Sequence, residues 1–286
     1  SDGELQPMTS NATTMIGADQ LNATGFTGKG MKVAILDTGI VVDHPNFGAL
    51  SEDKLTESSL TKEGVDAIWN TLNAGQMTSL RNRSYYNSKL PFIFNYYTHD
   101  FDVSHATAKH DHGTHVAGIA AANRYVPHYD ADGDLYYDKQ ELGVTGVAPD
   151  AQLVVMKVFG VGGGAYSSDY MAAIEDAIWL NCDSVNLSLG SAAVGFTTPG
   201  EAYFDNVMDS LDETDTVVCM SAGNSGNWAE DSVNGLLFAE DSNTGRIGSP
   251  GAYENSLAVA SADNIANTDS LNFRFSTILK VSVNLW

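Results

Sequence analysis

Met31-Lys32-Val33-Ala34-Ile35-Leu36, followed by Asp37-Thr38-Gly39, is a short apolar run that stops at a turn signal, with Gly28-Lys29-Gly30 before it. A continuous apolar run of this length, bounded by glycines, reads as a strand buried on both faces, as in a parallel sheet. The pattern recurs downstream. Leu153 to Phe159, Ser184 to Leu189, Thr216 to Met220 and Ser256 to Ser261 have the same character. Helical patterns separate them at Gly113 to Ala122, Ser168 to Trp179 and Ala202 to Leu211. Strands alternating with helices predict an α/β fold: a parallel β-sheet with helices on both faces, its functional groups collected at the carboxyl ends of the strands.

With 286 residues, 43% of them hydrophobic, the chain can build one large core. Thirty-six acids against 14 bases give a net charge of -22, which repels nucleic acid and anionic lipid. No apolar run approaches the roughly 20 residues of a membrane span. Cys182 and Cys219 lie in apolar strand-like contexts and read as buried thiols, neither a disulfide framework nor a metal site. Two stretches escape the alternation. Residues 48–109 are polar and rich in Asn, Ser and Tyr, and read as a long irregular excursion over the rim of the site; residues 124–143 read as an acidic insertion.

Three segments carry side chains suited to chemistry. Asp37 ends a buried strand, where a carboxylate can be held rigidly and pointed into a cleft, although an Asp there equally caps its own turn. His112 opens a helix in His112-Gly113-Thr114-His115-Val116-Ala117-Gly118 and projects from the first turn. His112 and His115 have a spacing that metals accept, but the glutamate of zinc peptidases is missing. Asn224, in Ser221-Ala222-Gly223-Asn224-Ser225-Gly226, follows a strand and can donate an amide hydrogen to a developing oxyanion, a contact whose loss costs about 3–4 kcal/mol of barrier.

Together with Gly146-Val147-Ala148-Pro149 and Asn186-Leu187-Ser188-Leu189-Gly190, these blocks resemble, in order and from about Met15 to Ala262, the subtilisin family of serine proteases. The likeness is greatest to the bacterial cell-envelope (lactocepin-like) proteinases. The resemblance implies a serine endopeptidase acting on polypeptide substrate, secreted or bound to the cell envelope. Asp37 would orient His112, His112 would act as general base, and Asn224 would stabilise the oxyanion. It also implies that Ser188-Leu189-Gly190 and Gly162-Gly163-Gly164 are the edges along which an extended peptide is hydrogen-bonded. The glycine run also reads as a flexible loop or a phosphate-binding turn; the latter lacks its lysine.

The family's Gly-Thr-Ser nucleophile motif is absent, and none of the serines from Ser225 to Ser282 has that context. The expectation is a peptidase domain over 1–270, truncated before the nucleophile helix, with 271–286 a tail or the start of an inserted domain. In subtilisin, loss of the triad costs about a million-fold in kcat, so this stretch alone is expected to be inactive. The alternative is a pseudoprotease that binds peptides without turnover. No cofactor is needed for catalysis. Structural calcium is suggested by Asp130, Asp132, Asp134 and Glu141, at positions 1, 3, 5 and 12 of a calcium-loop pattern whose sixth position is Leu135 in place of glycine. The same residues read equally as a solvated acidic loop. The family's calcium-ligand position after His44-Pro45 is the neutral Asn46.

Overall fold

The computed structural model describes residues 8–105, 111–142, 144–190, 202–223, 248–251, 253 and 255–260. They fall into two compact units, dividing after Asp183.

The first unit begins with α1 (Met8–Met15) and α2 (Ala18–Ala23) and continues with β1 (Lys32–Asp37), α3 (Lys62–Ile68), α4 (Asn73–Met77) and β2 (Phe92–Asn95). It goes on through α5 (His112–Ala121), β3 (Tyr125–Tyr129), β4 (Leu135–Leu142), β5 (Gln152–Lys157) and α6 (Ser167–Trp179). β5 is the middle strand of a parallel set, pairing with β1 in the register Ala34↔Val154 and with β2 in the register Phe92↔Val154. Side chains alternate across it. Ile35, Leu153, Val155 and Ile93 pack with Val116, Ala117 and Ala121 of α5. Ala34, Leu36, Phe92, Phe94, Val154 and Met156 point the other way and are fully buried. Burial on both faces explains why these runs lack the polar alternation of a half-exposed strand.

The reading of 48–109 as irregular is corrected here. It contains α3, α4 and β2, and all four residues of β2 are buried. β2 has only three apolar positions, Phe92, Ile93 and Phe94, before the polar Asn95, so its sequence signal is shorter than its structural role. Phe94 packs edge-on against Trp69, Tyr96 and Phe101. Each fully buried aromatic ring contributes about 2–3 kcal/mol relative to exposure. Asp176 of α6 ties this layer together, accepting from Tyr96 Oη (2.7 Å) and from the backbone N–H groups of Asn73 (2.7 Å) and Ala74 (2.9 Å). Burial holds its carboxyl up at about 6. The acidic stretch 124–143 forms the antiparallel hairpin β3–β4.

The second unit has β6 (Ser184–Leu187), α7 (Ala202–Ser210), β7 (Val217–Ser221) and β8 (Leu257–Val259). β7 pairs in parallel with β6, Val185↔Val218, and with β8, Met220↔Ala258. Both units are therefore parallel α/β structures, as the strand and helix pattern predicts. Among the described residues, no helix is long and apolar enough to cross a membrane.

Candidate active site

Asp37 is the last residue of β1 and its side chain is 1% exposed. Isolated burial of a carboxylate is costly, so its oxygens need donors. Oδ1 accepts from the N–H of Thr38 (2.7 Å). The remaining capacity faces His112, whose Nδ1 lies 2.9 Å from Oδ1 and 3.0 Å from Oδ2. Two acceptor oxygens opposite one ring nitrogen place the proton on Nδ1. That fixes the neutral imidazole in the tautomer whose Nε2 is free to accept a proton. The imidazole is 36% exposed, so one edge is buried against Asp37 and the rest is reachable. The Asp37 hydrogen bond raises its pKa above the ordinary histidine value, outweighing burial; the charges of Asp37 and Asp111 add to the rise.

The backbone keeps this pair together through close approach. A Cβ at Gly113 would lie 2.2 Å from Gly39 O and 3.1 Å from both Cβ and Oδ1 of Asp37. Only glycine lets the first turn of α5 come this near to the β1 turn. Gly39 has φ +99, and a Cβ there would fall 2.1 Å from Val103 O. Thr38 Oγ1 accepts from the N–H of Gly113 (3.0 Å), and Thr114 Oγ1 accepts from the N–H of Val41 (3.0 Å). These reciprocal bonds join the Asp-Thr-Gly turn to the His-Gly-Thr turn at both ends. His115, on the same helix, is exposed.

A three-point strap, not evident in the sequence, backs the turn. Three consecutive carbonyls are held in turn. Asp102 O accepts from Asn95 Nδ2 (2.8 Å), Val103 O from Ile40 N–H (2.8 Å), and Ser104 O from Lys157 Nζ. Asn95 and Lys157 are register partners at the carboxyl ends of β2 and β5. The sequence signal was a polar residue closing each apolar run.

Of the other predicted positions, Asn224 lies outside the described residues. Gly162, Gly163 and Gly164 form the exposed tip of a turn, with Gly160 N–H donating to Gly164 O (3.0 Å) and Phe159 bridging Ala165. Beside that turn, Tyr97 and Tyr166 stack 5.7 Å apart. Ser188, Leu189 and Gly190 run on from β6. Asn186 Nδ2 donates to Ser188 Oγ (2.9 Å), and Leu189 O accepts from Ser221 Oγ (3.2 Å).

Asp130, Asp132 and Asp134 sit in the β3–β4 turn, where Asp130 Oδ1 accepts from the N–H groups of Asp132 and Asp134, both at 2.9 Å. Glu141 is paired with His128 Nε2 at 2.8 Å. A cation held by these four residues would have to draw Glu141 off His128. Asn46 is buried, and its amide lies 3.5 Å from both Asn123 O and Val144 O. Among the described residues, no three His, Cys, Asp or Glu side chains gather around one point as a metal requires. The residues as placed do not form a ready calcium cage.

A sequence profile of the Subtilase family matches residues 28–282. The PI-type proteinase of Lactococcus lactis subsp. cremoris is 34% identical over 244 residues, 84% of this chain and 12% of that protein. The minor extracellular protease Vpr of Bacillus subtilis is 28% identical over 98% of this chain and 26% of its own length. A C5a peptidase of Streptococcus pyogenes is 29% identical over 82% of this chain and 18% of its length. The chain thus spans a small fraction of the relatives it matches.

Proposed function

This chain belongs to the subtilase family, and from that premise we propose that it supplies the acid–base half of a serine endopeptidase site acting on polypeptide substrate. The observation that carries the reading is the buried Asp37 carboxylate facing His112 Nδ1 at 2.9 and 3.0 Å. In that arrangement Asp37 fixes the tautomer and stabilises the imidazolium. His112 Nε2 removes the proton from a serine hydroxyl as it attacks the scissile carbonyl, and later delivers that proton to the leaving amine. The oxyanion role is assigned to Asn224 on its motif alone, and the peptide-contacting roles to Ser188, Leu189, Gly190 and to Gly162, Gly163, Gly164 on theirs.

The nucleophile has no Gly-Thr-Ser candidate in these 286 residues. The hydrolytic reading is therefore of the protein in which this sequence works together with such a serine, and the sequence alone is expected to lack peptidase activity. The extracellular setting named for the Vpr relative supports an exported protein, as does the acidic surface.

The test is labelling of the full-length protein with a serine-directed fluorophosphonate, paired with hydrolysis of fluorescent casein. Labelling and hydrolysis that are both lost in His112→Ala support the reading. A full-length protein that captures peptides but is neither labelled nor active would be a peptide-binding pseudoprotease instead.

A further inference from the structure

We propose that Lys157 is a positioning residue for the catalytic pair: by holding the carbonyl of Ser104 it tightens the 102–104 strap against the Asp37-Thr38-Gly39 turn. The inference rests on the peptidase reading for its activity readout but is tested separately from it. Lys157 is the last residue of β5, register partner of Asp37, and only 9% exposed. Its stem lies along the turn, with Cδ 3.1 Å from where a Gly39 Cβ would be. Its ammonium reaches over to Ser104 O. Asp100 and Asp102 are the carboxylates near it, and burial lowers its pKa against their pull.

The strap is short enough for one anchor to matter. Between the Asn95 and Lys157 anchors lies Val103, whose carbonyl accepts from Ile40 N–H and abuts Gly39. Carbonyl groups bonded by buried side chains on adjacent strands cannot drift without leaving a buried donor unpaired. The strap therefore behaves as a rigid back wall to the turn. Asp37 in turn keeps both oxygens within hydrogen-bond distance of His112 only while that turn is held. Lys157 touches neither His112 nor the reacting atoms, so its effect runs through geometry.

Sign separates this role from a direct charge effect. Deleting a nearby cation by itself raises a histidine pKa, whereas loosening the Asp37 contact lowers it. The experiment reads the titration of His112 in the full-length protein through carbethoxylation by diethylpyrocarbonate across pH, quantified on the His112 peptide by mass spectrometry. It requires no turnover. Lys157→Met keeps the apolar stem and removes only the ammonium.

The matched control is Lys32→Met, which deletes a second buried lysine-to-carbonyl bond, Lys32 Nζ to Ser58 O (3.0 Å), at the opposite end of the same strand set. The expected result is a His112 midpoint lowered by about one unit in Lys157→Met and unchanged in Lys32→Met. In active protein, kcat should fall about tenfold with KM unchanged in the first variant only. A His112 midpoint that stays put or rises in folded Lys157→Met overturns the proposal, as does an equal shift in the control. If Lys157→Met does not fold, Lys157→Gln is read by the same assay, with the same outcomes deciding.

Discussion

Replacing Gly113 by alanine tests whether the catalytic pair depends on the backbone approach of α5 to the β1 turn. The added methyl carbon would start 2.2 Å from Gly39 O, whereas nonbonded atoms settle at about 3.2–3.5 Å. One partner must therefore move by about 1 Å. The turn cannot retreat, because Gly39 already abuts Val103 O and Ile40 N–H is bonded to that same carbonyl. The helix must lift instead. Contacts at 3.1 Å to Asp37 Cβ and Oδ1 push it in the same sense. Nδ1 to carboxylate distances of 2.9 and 3.0 Å would open to about 4 Å, beyond a hydrogen bond.

A misplacement of this size costs on the order of 100-fold. kcat/KM for a chromogenic peptide should fall by that factor in the full-length protein. The pH profile carries a second signature. Asp37 raises the His112 pKa, and the base works only when deprotonated, so the acid limb of wild type lies above the ordinary histidine range. In Gly113→Ala the limb should move to lower pH as the partner is lost. A folded variant with kcat/KM within about threefold of wild type and an unmoved acid limb would refute the reasoning.

Asp37→Asn should keep the fold and lower kcat by about four orders of magnitude, because the amide no longer enforces the Nδ1–H tautomer; stopped assays across pH would also show the acid limb shifted down. Lys89 is fully buried, bonded to Pro149 O (2.8 Å) and Ala151 O (2.7 Å), with its pKa lowered to about 7 by burial. Between about pH 7 and 10.5 the unfolded chain holds the proton that the native chain releases, so stability should rise with pH there, by on the order of 3 kcal/mol from pH 7 to 9.5. Urea midpoints of Lys89→Met should lack that rise. For the acidic hairpin, the thermal response to millimolar calcium should be the same in wild type and in Asp130→Asn/Asp134→Asn, since Asp130 and Glu141 are already engaged by N–H groups and by His128; a response confined to wild type would place a cation there.

Where a segment's structure follows from its own residues, the sequence was legible. The strands β1 and β5 are mainly apolar because both faces are buried, and a run with that property needs no partner to be recognised; β6, β7 and β8 are only partly buried and were legible from their short β-branched and aliphatic runs. Asp37 and His112 were legible for a different reason: each ends or begins an element next to a glycine, and the pairing of Gly39 with Gly113 makes sense only if the two turns touch. β2 was not legible. Its four residues are too short to carry a period, and what makes them a strand is the edge of β5, which lies some sixty positions away in sequence. The β3–β4 hairpin was hidden by its own acidity, which draws the reading to the carboxylates of its turn and away from the strand pairing on either side.

The strap belongs to this second kind and bears most on function. Nothing in Asp102-Val103-Ser104 marks it as catalytic support, since its contribution is made through carbonyl oxygens that every residue has. Its specificity lies in the donors: Asn95 and Lys157, two polar residues closing apolar strands where another apolar residue would have continued the pattern. A buried lysine costs desolvation energy, and the bond to Ser104 O offsets only part of that cost. The placement is accounted for if what it stabilises is the rigidity of the Asp37 turn, because the requirement at a catalytic carboxylate is a fixed position to within a fraction of an ångström. The residues that hold a site in this way are polar interruptions at strand ends, and in this chain Lys157 is the register partner of the carboxylate it serves and Asn95 lies one strand beyond it.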